Sequence, residues 1–318
     1  AINTNYINRI AKKDGIYEPG MFYCGTMFDG LKTMDKIVSE EKDEFVNNWK
    51  EKLSKWEETR SKNISSENLP HSDVKPVSPP TPLKLNEVTR LKPEDFDLNE
   101  IWNYLNKKSL FKLSWGIKGN SKTDSIEDPE KLLGEWKQRV LDDNLFEPQA
   151  VYGYFACHNR DDKLVVDAPD GQNVTFDFPR SSKNKHLCLT DYFGENDIVA
   201  FQSVTVGTKA AELIEKWDKE DKYTDAYYLH GLAVETAEAM AEWLNQKIKT
   251  ELEITEKGGL RYSWGYPSCP DTTQQHLVWK LIHGEKSGME LTESGQIIPE
   301  QSTAAIIVHH PDAEYFVL

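Results

Sequence analysis

Apolar residues at helical spacing mark the longest regular element of the chain. Between Tyr223 and Leu252 they recur at steps of three or four and form one stripe: Leu229, Ala233, Ala237, Met240, Leu244 and Ile248. The segment Glu44–Trp56 has the same periodicity, with acids and lysines on its other face, which indicates an amphipathic surface helix. Similar patterns predict four further helices, at Asp97–Leu105, Asp128–Leu145, Thr208–Lys219 and Thr272–Ile282.

Short apolar runs between polar turns predict the strands. They are Ala150–Cys157, Lys163–Asp167, Val174–Phe178, Ile198–Val206, Ser302–His309 and Glu314–Val317, with a shorter extended candidate at Gly20–Cys24. Several strands follow one another directly, and the helices are grouped between them. This order predicts an α+β fold in which helices pack on a twisted, largely antiparallel sheet.

Residues 61–93 differ from the rest of the chain, because they hold six prolines, several serines and few large apolar residues. Such a composition predicts a linker, or a segment that wraps over a protein surface. We therefore expect three parts: a helical and extended N-terminal segment over 1–35, a helix and proline-rich linker over 36–93, and a folded domain over 94–318.

Composition excludes several classes of function. The net charge is −15, from 38 Lys and Arg against 53 Asp and Glu, which argues against a nucleic-acid partner. No apolar run reaches bilayer length, and no signal-peptide pattern is present, so no membrane partner is expected. The four cysteines lack CxxC spacing and are interpreted as reduced thiols of a cytoplasmic protein. The sequence shows no metal-ligand spacing, no phosphate-binding loop and no paired nucleophile, so neither a metal site nor a catalytic residue is predicted.

The run from Arg261 to Asp271, Arg-Tyr-Ser-Trp-Gly-Tyr-Pro-Ser-Cys-Pro-Asp, carries the clearest candidate chemistry. Gly265 permits a positive φ, and Pro267 and Pro270 fix φ and remove two hydrogen-bond donors. We therefore expect an extended loop whose backbone groups lack ladder partners and can face a ligand. A rigid structural loop between a strand and a helix is the alternative.

Three acids of the long helix lie in a narrow arc away from its apolar stripe. They are Glu235, Glu238 and Glu242. They form either a solvated acidic face or a carboxylate wall beside a cationic ligand.

The 261–271 run is similar to the Arg-x-x-x-Gly-Tyr-Pro-Ala-Cys-Pro-Asp signature of one family, the C-terminal activation domain of cobalamin-dependent methionine synthase. Other blocks resemble that family in the same order: Val151–Phe155, Phe178–Arg180, Leu187–Asp191, Ala237–Glu242, Leu291–Ser294, Pro299–Ser302 and His310–Phe316. The resemblance spans about residues 90–318. Residues 15–35 separately resemble the tail of the cobalamin-binding domain that precedes the activation domain, which implies a C-terminal fragment of a longer protein.

The resemblance implies a role in reactivation during methionine biosynthesis. In this family cobalamin carries a methyl group from methyltetrahydrofolate to homocysteine, and occasional oxidation leaves inactive cob(II)alamin. The activation domain binds S-adenosylmethionine over the corrin, and an electron from reduced flavodoxin or an equivalent reductase then permits methylation to methylcobalamin. The resemblance thus implies part of a methyltransferase, with cobalamin bound mainly by the neighbouring domain, that is inactive alone in the full reaction.

The resemblance also assigns roles to individual residues. Arg261 would bind the carboxylate of S-adenosylmethionine, and Tyr315 would lie near its methionine portion. Glu238 would lie near the sulfonium or the corrin. The stretch that would border the adenosine comprises Tyr262, Trp264, Gly265 and Tyr266.

Two positions depart from the family. Asn106 stands where the family carries an aspartate that binds the ligand's amino group, so weaker binding is expected. Glu256 is one residue away from the family's acid before the 261–271 run. Two other functions therefore stay open: a non-enzymatic docking module for a corrinoid domain and flavodoxin, and a free-standing reactivase for another corrinoid methyltransferase.

Overall fold

The chain divides into two units, Ala1–Leu69 and Pro70–Leu318. The structure, a computed structural model, describes residues 21–24, 27–64, 69–82, 84–117, 128–183, 185–254 and 257–318. Within the described residues, no helix is both long enough and apolar enough to span a membrane.

The first unit contains the helices α1 (Met27–Val38) and α2 (Lys42–Ile64). The second helix includes the predicted segment Glu44–Trp56 and extends beyond it at both ends. Its apolar stripe is used in packing, since the ring of Phe22 lies 5.3 Å from that of Phe45 and 5.0 Å from that of Trp49. Residues 21–24 form neither helix nor strand, and Gly20 lies outside the described residues.

In its described residues, the second unit contains six α-helical segments: α3 (Leu98–Ile101), α4 (Lys107–Ser109), α5 (Pro129–Asp142), α6 (Thr208–Lys219), α7 (Tyr223–Glu251) and α8 (Gln275–Ile282). Single turns of other helix types extend them, notably the 3₁₀ turn Trp102–Tyr104 and the π turn Leu110–Ser114. Asp128 begins α5 by accepting hydrogen bonds from the backbone N–H groups of residues 130 and 131, which is the usual N-cap arrangement. The long predicted helix is confirmed as α7.

The part of the second unit that the structure describes also contains nine strands: β1 (Val88–Leu91), β2 (Gln149–Arg160), β3 (Lys163–Asp167), β4 (Asn173–Asp177), β5 (Asp197–Thr205), β6 (Leu260–Ser263), β7 (Glu290–Leu291), β8 (Ile297–Ile298) and β9 (Ser302–Val308). Six of them lie in the order β4-β3-β2-β5-β9-β6, β1 pairs with β2, and β7 pairs with β8 separately. Every pairing between these strands is antiparallel. The predicted α+β class with a largely antiparallel sheet is therefore confirmed.

The sheet separates two apolar cores, because alternate residues of a strand point to opposite faces. On β5, Ala200 and Val204 belong to the core that includes α7, whereas Val199 and Phe201 belong to the core that includes α8. Strands buried on both faces lack a polar side, which explains the apolar runs Ala150–Cys157 of β2 and Ile198–Phe201 of β5. The central strands are thus held rigidly, and β6 lies at one edge of the sheet.

The predicted terminal strand Glu314–Val317 is wrong. The residues after β9 form no strand, and their carbonyl groups accept hydrogen bonds from side chains instead of from a neighbouring strand. The Tyr262 hydroxyl donates to the carbonyl of Glu314. The Ser268 hydroxyl donates to that of Phe316, and the Ser181 hydroxyl to that of Val317. The C-terminal segment is therefore pinned to the domain surface by side chains.

The proline-rich segment belongs with the second unit from Pro70 onwards. Ser72 donates a hydrogen bond to Asp191 at 2.8 Å, and a ring nitrogen of His310 lies 2.9 Å from the carbonyl oxygen of Lys75. No strand was predicted near the C-terminal end of the proline-rich segment. In the structure, β1 lies there and pairs with β2, with Val88 opposite Gly153. Of the two predicted alternatives, residues 70–82 and 84–93 therefore follow the surface-wrapping one.

A close approach between α7 and the Leu110–Ser114 turn requires glycine at position 231. A Cβ atom there would lie 2.7 Å from Cδ1 of the buried Trp115. Because overpacking a rigid core displaces its neighbours, Gly231→Ala is expected to lower the free energy of unfolding by about 1–3 kcal/mol. Urea denaturation measures this, with Gly134→Ala as the control.

Gly134 is the matched control, because it is also helical and a Cβ there would meet nothing within 4 Å. Gly134→Ala is expected to stabilise the protein by about 0.5–1 kcal/mol through helix propensity. Equal urea midpoints for the two variants would contradict the close-packing argument.

Candidate functional site

The run from Arg261 to Asp271 does not begin as a loop. Its first residues belong to β6, where Arg261 pairs with Ile307 of β9. The prediction of an extended loop without ladder partners is therefore wrong for these residues, because the glycine and prolines that interrupt a strand begin only at 265. Even there, Gly265 has φ 91° and its N–H donates to the carbonyl of Cys269 at 2.9 Å. A strand thus fixes Arg261, and a tight turn follows it.

Strand alternation divides the aromatic residues of this run. Tyr262 and Trp264 are 2% and 7% exposed and belong to the core on the α8 side of the sheet. The Trp264 ring lies 6.2 Å from that of Phe201 at 27°. The predicted contact of these two rings with an adenosine is therefore corrected, because they lie on the opposite face of the sheet from the Arg261 guanidinium. On the guanidinium's own face, the Ser263 hydroxyl accepts a hydrogen bond from Arg261 Nη1 at 3.4 Å.

Arg261 reaches across to α7 and binds two of the three acids noted on this helix. The three are Glu235, Glu238 and Glu242, hereafter the α7 carboxylates. Arg261 Nη2 donates to Glu238 Oε2 at 2.7 Å, and its Nε donates to Glu242 Oε2 at 3.3 Å. Burial acts against the charged guanidinium, but Glu238 and Glu242 outweigh it, so the pKa of Arg261 is raised. The Arg261 side chain is 16% exposed and the two acids are 38% and 39% exposed, so the cluster can be reached from solvent.

The third α7 carboxylate, Glu235, is buried at 8% exposure. Its Oε1 accepts hydrogen bonds from the hydroxyl groups of Ser109 at 2.6 Å and Ser114 at 2.8 Å. The alternative of a solvated acidic face is therefore wrong for this residue, since serine hydroxyls replace water around it. The α7 carboxylates instead form one wall of a polar site that begins at the Lys107–Ser114 turns and ends at Arg261.

Asn106 lies at the start of that wall. It is the N-cap of α4, and its Oδ1 accepts a hydrogen bond from the backbone N–H of Ser109 at 3.0 Å. Ser109 therefore connects Asn106 to Glu235. The sequence analysis missed Ser109 and Ser114, because the spacing from Asn106 to Ser109 indicates a helix cap but not a contact with a residue more than a hundred positions away.

Two exposed tyrosines border the same cluster. Tyr266 and Tyr315 are 60% and 67% exposed, and the Tyr315 hydroxyl donates to the carbonyl of Arg261 at 3.2 Å. Partial burial raises the pKa of both phenols; Glu238 raises both further, whereas Arg261 lowers both. The structure therefore brings Arg261, Glu238, Tyr266 and Tyr315 together, and Glu256 lies outside the described residues.

A second polar cluster lies under residues 158–162 and is structural. Arg180 has only 1% of its side chain exposed and forms ion pairs with Asp162 and with Asp191, the latter at 2.7 Å. His71, Asp162 and Asp191 also place ligand atoms within 4.8 Å of one another. Because Arg180 already forms ion pairs with both Asp162 and Asp191, the cluster serves as an internal ion network. It includes residues from two of the sequence blocks noted above, Phe178–Arg180 and Leu187–Asp191.

The arrangement at Arg261 suits a ligand that carries both signs of charge. A guanidinium can grip a carboxylate through two parallel hydrogen bonds. Three carboxylates beside one guanidinium leave an excess of negative charge for cationic groups, and exposed phenol rings can cover an apolar or aromatic part of the ligand. An amino acid linked to a further cation and to an aromatic base has this distribution of groups.

Comparison with known proteins finds relatives among the methionine synthases. Residues 97–318 match the family model for the activation domain of vitamin B12-dependent methionine synthase. The methionine synthases of Mycobacterium tuberculosis and Mycobacterium leprae are 27% and 28% identical to the chain; each alignment covers 99% of the chain and 31% of the relative. A crystal structure of the MetH reactivation domain bound to AdoHcy superposes with a TM-score of 0.63 at 20% identity, over 76% of this chain and 83% of that chain.

Proposed function

The chain belongs to the family of activation domains of vitamin B12-dependent methionine synthase, and from this premise we propose that it binds S-adenosylmethionine for the reductive methylation of cobalamin. The chain spans 31% of the length of the curated relatives, so the methyltransferase activity of a whole enzyme is part of the proposal. The observation that carries it is the Arg261 guanidinium between Glu238 and Glu242, at the solvent-accessible edge of the sheet.

Each residue of the cluster has a role in this proposal. Arg261 exchanges part of its ion pairing with the α7 carboxylates for the carboxylate of the ligand. Glu238, freed on one side, then faces the sulfonium. Tyr266 and Tyr315 cover the adenosine and the methionine portion, and the Gly265 turn presents backbone groups beside them. Holding the ligand in one orientation contributes to rate by lowering the entropic barrier to transfer.

The cobalamin and the reductant belong to partners of this chain in the proposal. Cobalamin, held mainly by a neighbouring domain, supplies a reducible cobalt that accepts the methyl group. The residues of this chain bind and orient the methyl donor and exclude water from it. A flavodoxin or an equivalent reductase would supply the electron, in the cytoplasm. Residues 1–35 would be the tail of the cobalamin-binding domain.

Isothermal titration calorimetry with S-adenosylmethionine tests the proposal directly. We expect saturable binding with one site per chain, and competition by S-adenosylhomocysteine, because both ligands share the carboxylate, the ammonium and the adenosine. Adenosine alone is the control and should bind far more weakly, since it cannot reach Arg261. An absence of binding heat and of competition would overturn the ligand site and favour the docking module.

A further inference from the structure

We propose that Glu235 binds the ammonium group of the ligand and supplies the negative charge that Asn106 lacks. The inference rests on the proposed function and deepens it, because it assigns the amino end of the ligand to a named carboxylate. The role of Glu235 is indicated by its neighbours in the fold, Ser109 and Ser114, and not by its position in the sequence.

The two serines fix the position of the Glu235 carboxylate. Ser109 Oγ and Ser114 Oγ both donate their hydrogen bonds to Glu235 Oε1. Within the described residues, no group donates a hydrogen bond to Glu235 Oε2, which can therefore accept one from a ligand. A charged acceptor held by two hydroxyl donors at 8% exposure needs little reorganisation on binding, which favours affinity.

Asn106 is poorly suited to the same task. Its amide oxygen already accepts the N–H of Ser109 as a helix cap, and its amide nitrogen only donates hydrogen bonds, as an ammonium does. A hydrogen bond from an ammonium to a carboxylate is stronger than one to a neutral amide. Because Ser109 bonds to both side chains, Glu235 lies at the place where the missing charge is needed.

The spacing along α7 separates the two ends of an amino-acid group. Glu235 and Glu238 are three residues apart, so they are neighbours on one helix face. Glu238 binds Arg261 at 2.7 Å, and the charges of Glu235, Glu238 and Arg261 all act on Tyr266. A carboxylate on Arg261 and an ammonium on Glu235 would therefore both lie on this face of α7, as the two ends of one amino-acid group require.

Glu235→Gln tests the assignment, because glutamine keeps an acceptor oxygen for the serines and removes the charge. We expect the Kd for S-adenosylmethionine and for S-adenosylhomocysteine to rise by about ten- to a hundredfold, since a hydrogen bond to a charged group is lost. The Kd for the analogue of S-adenosylhomocysteine without the α-ammonium should not change. Asn106→Asp in the Glu235→Gln background should restore much of the affinity.

Glu251→Gln is the matched control. Glu251 lies on the same helix and also accepts two hydroxyl donors, from Tyr152 at 2.9 Å and Tyr154 at 2.6 Å, but it is the last residue of α7, whereas Glu235 lies near the middle. Its replacement should leave all three affinities unchanged. If the wild-type chain binds S-adenosylmethionine and Glu235→Gln binds it equally well, the role of Glu235 is refuted while the proposed function stands. Loss confined to S-adenosylmethionine would also refute it, because that result assigns Glu235 to the sulfonium.

Discussion

Arg261→Ala is expected to abolish most of the affinity for S-adenosylmethionine. Removing one partner of a partly buried charge pair costs about 2–5 kcal/mol, which corresponds to about 30- to several-thousandfold in Kd. The effect is expected to be large because Arg261 is the cation proposed to bind the ligand's carboxylate, and because its loss would leave Glu238 and Glu242 to repel that carboxylate. Calorimetry on the purified chain measures the change.

Arg261→Lys separates charge from geometry. Lysine keeps the positive charge but loses the planar fork that bonds a carboxylate twice, so its affinity should lie between those of the wild type and the alanine variant. The free energy of unfolding is expected to fall by about 1–3 kcal/mol in Arg261→Ala, because the arginine side chain is only 16% exposed, although its paired acids keep access to water. A Kd within threefold of the wild-type value in a folded Arg261→Ala protein would contradict the assigned site.

Arg180→Met is expected to destabilise the second unit more than any surface substitution. The side chain of Arg180 is 1% exposed and its partner Asp191 is 7% exposed. Methionine has a similar length but leaves that carboxylate buried and unpaired, and such a broken pair costs about 3–5 kcal/mol. The Cys188 N–H and Ser72 hydroxyl would still donate to Asp191, which keeps the loss below that of an isolated charge. Urea unfolding measures the shift.

Lys185→Ala is the control for this prediction. Lys185 pairs with Glu314, and the two side chains are 63% and 45% exposed. Because solvent screens such a pair, its removal should cost less than about 1 kcal/mol. Equal unfolding free energies for Arg180→Met and Lys185→Ala would show that the buried network contributes nothing to stability.

Local pattern was sufficient for most elements of the second unit. The bounds predicted for α6 and β3 are those observed, and α7 and β9 each end one residue before the predicted end. These segments combine strong periodicity with clear turn residues at their ends. The strand β1 was missed because four residues beside a proline-rich segment carry no periodicity, and pairing with β2 supplies the hydrogen bonds that make them a strand.

The candidate site was only partly predictable. Arg261 stands out in the sequence as the cation of a proline- and glycine-rich run, and the family resemblance assigned it a carboxylate. The resemblance placed Tyr262, Trp264 and Tyr266 beside an adenosine, whereas of these three only Tyr266 is exposed. The reason is that alternation along β6 sends Tyr262 into the opposite core, and Trp264 follows it there. A run interpreted as a loop does not reveal that division.

Periodicity by itself determined the α+β class and the long helix with its three acids. Those properties depend on neighbouring residues, which are complete in the linear chain. Only the tertiary structure decided which acid meets Arg261, that Glu235 is held by Ser109 and Ser114, and which aromatic rings are left exposed. Each of these depends on contacts between residues far apart in the chain, and their geometry is set by strand pairing and helix packing.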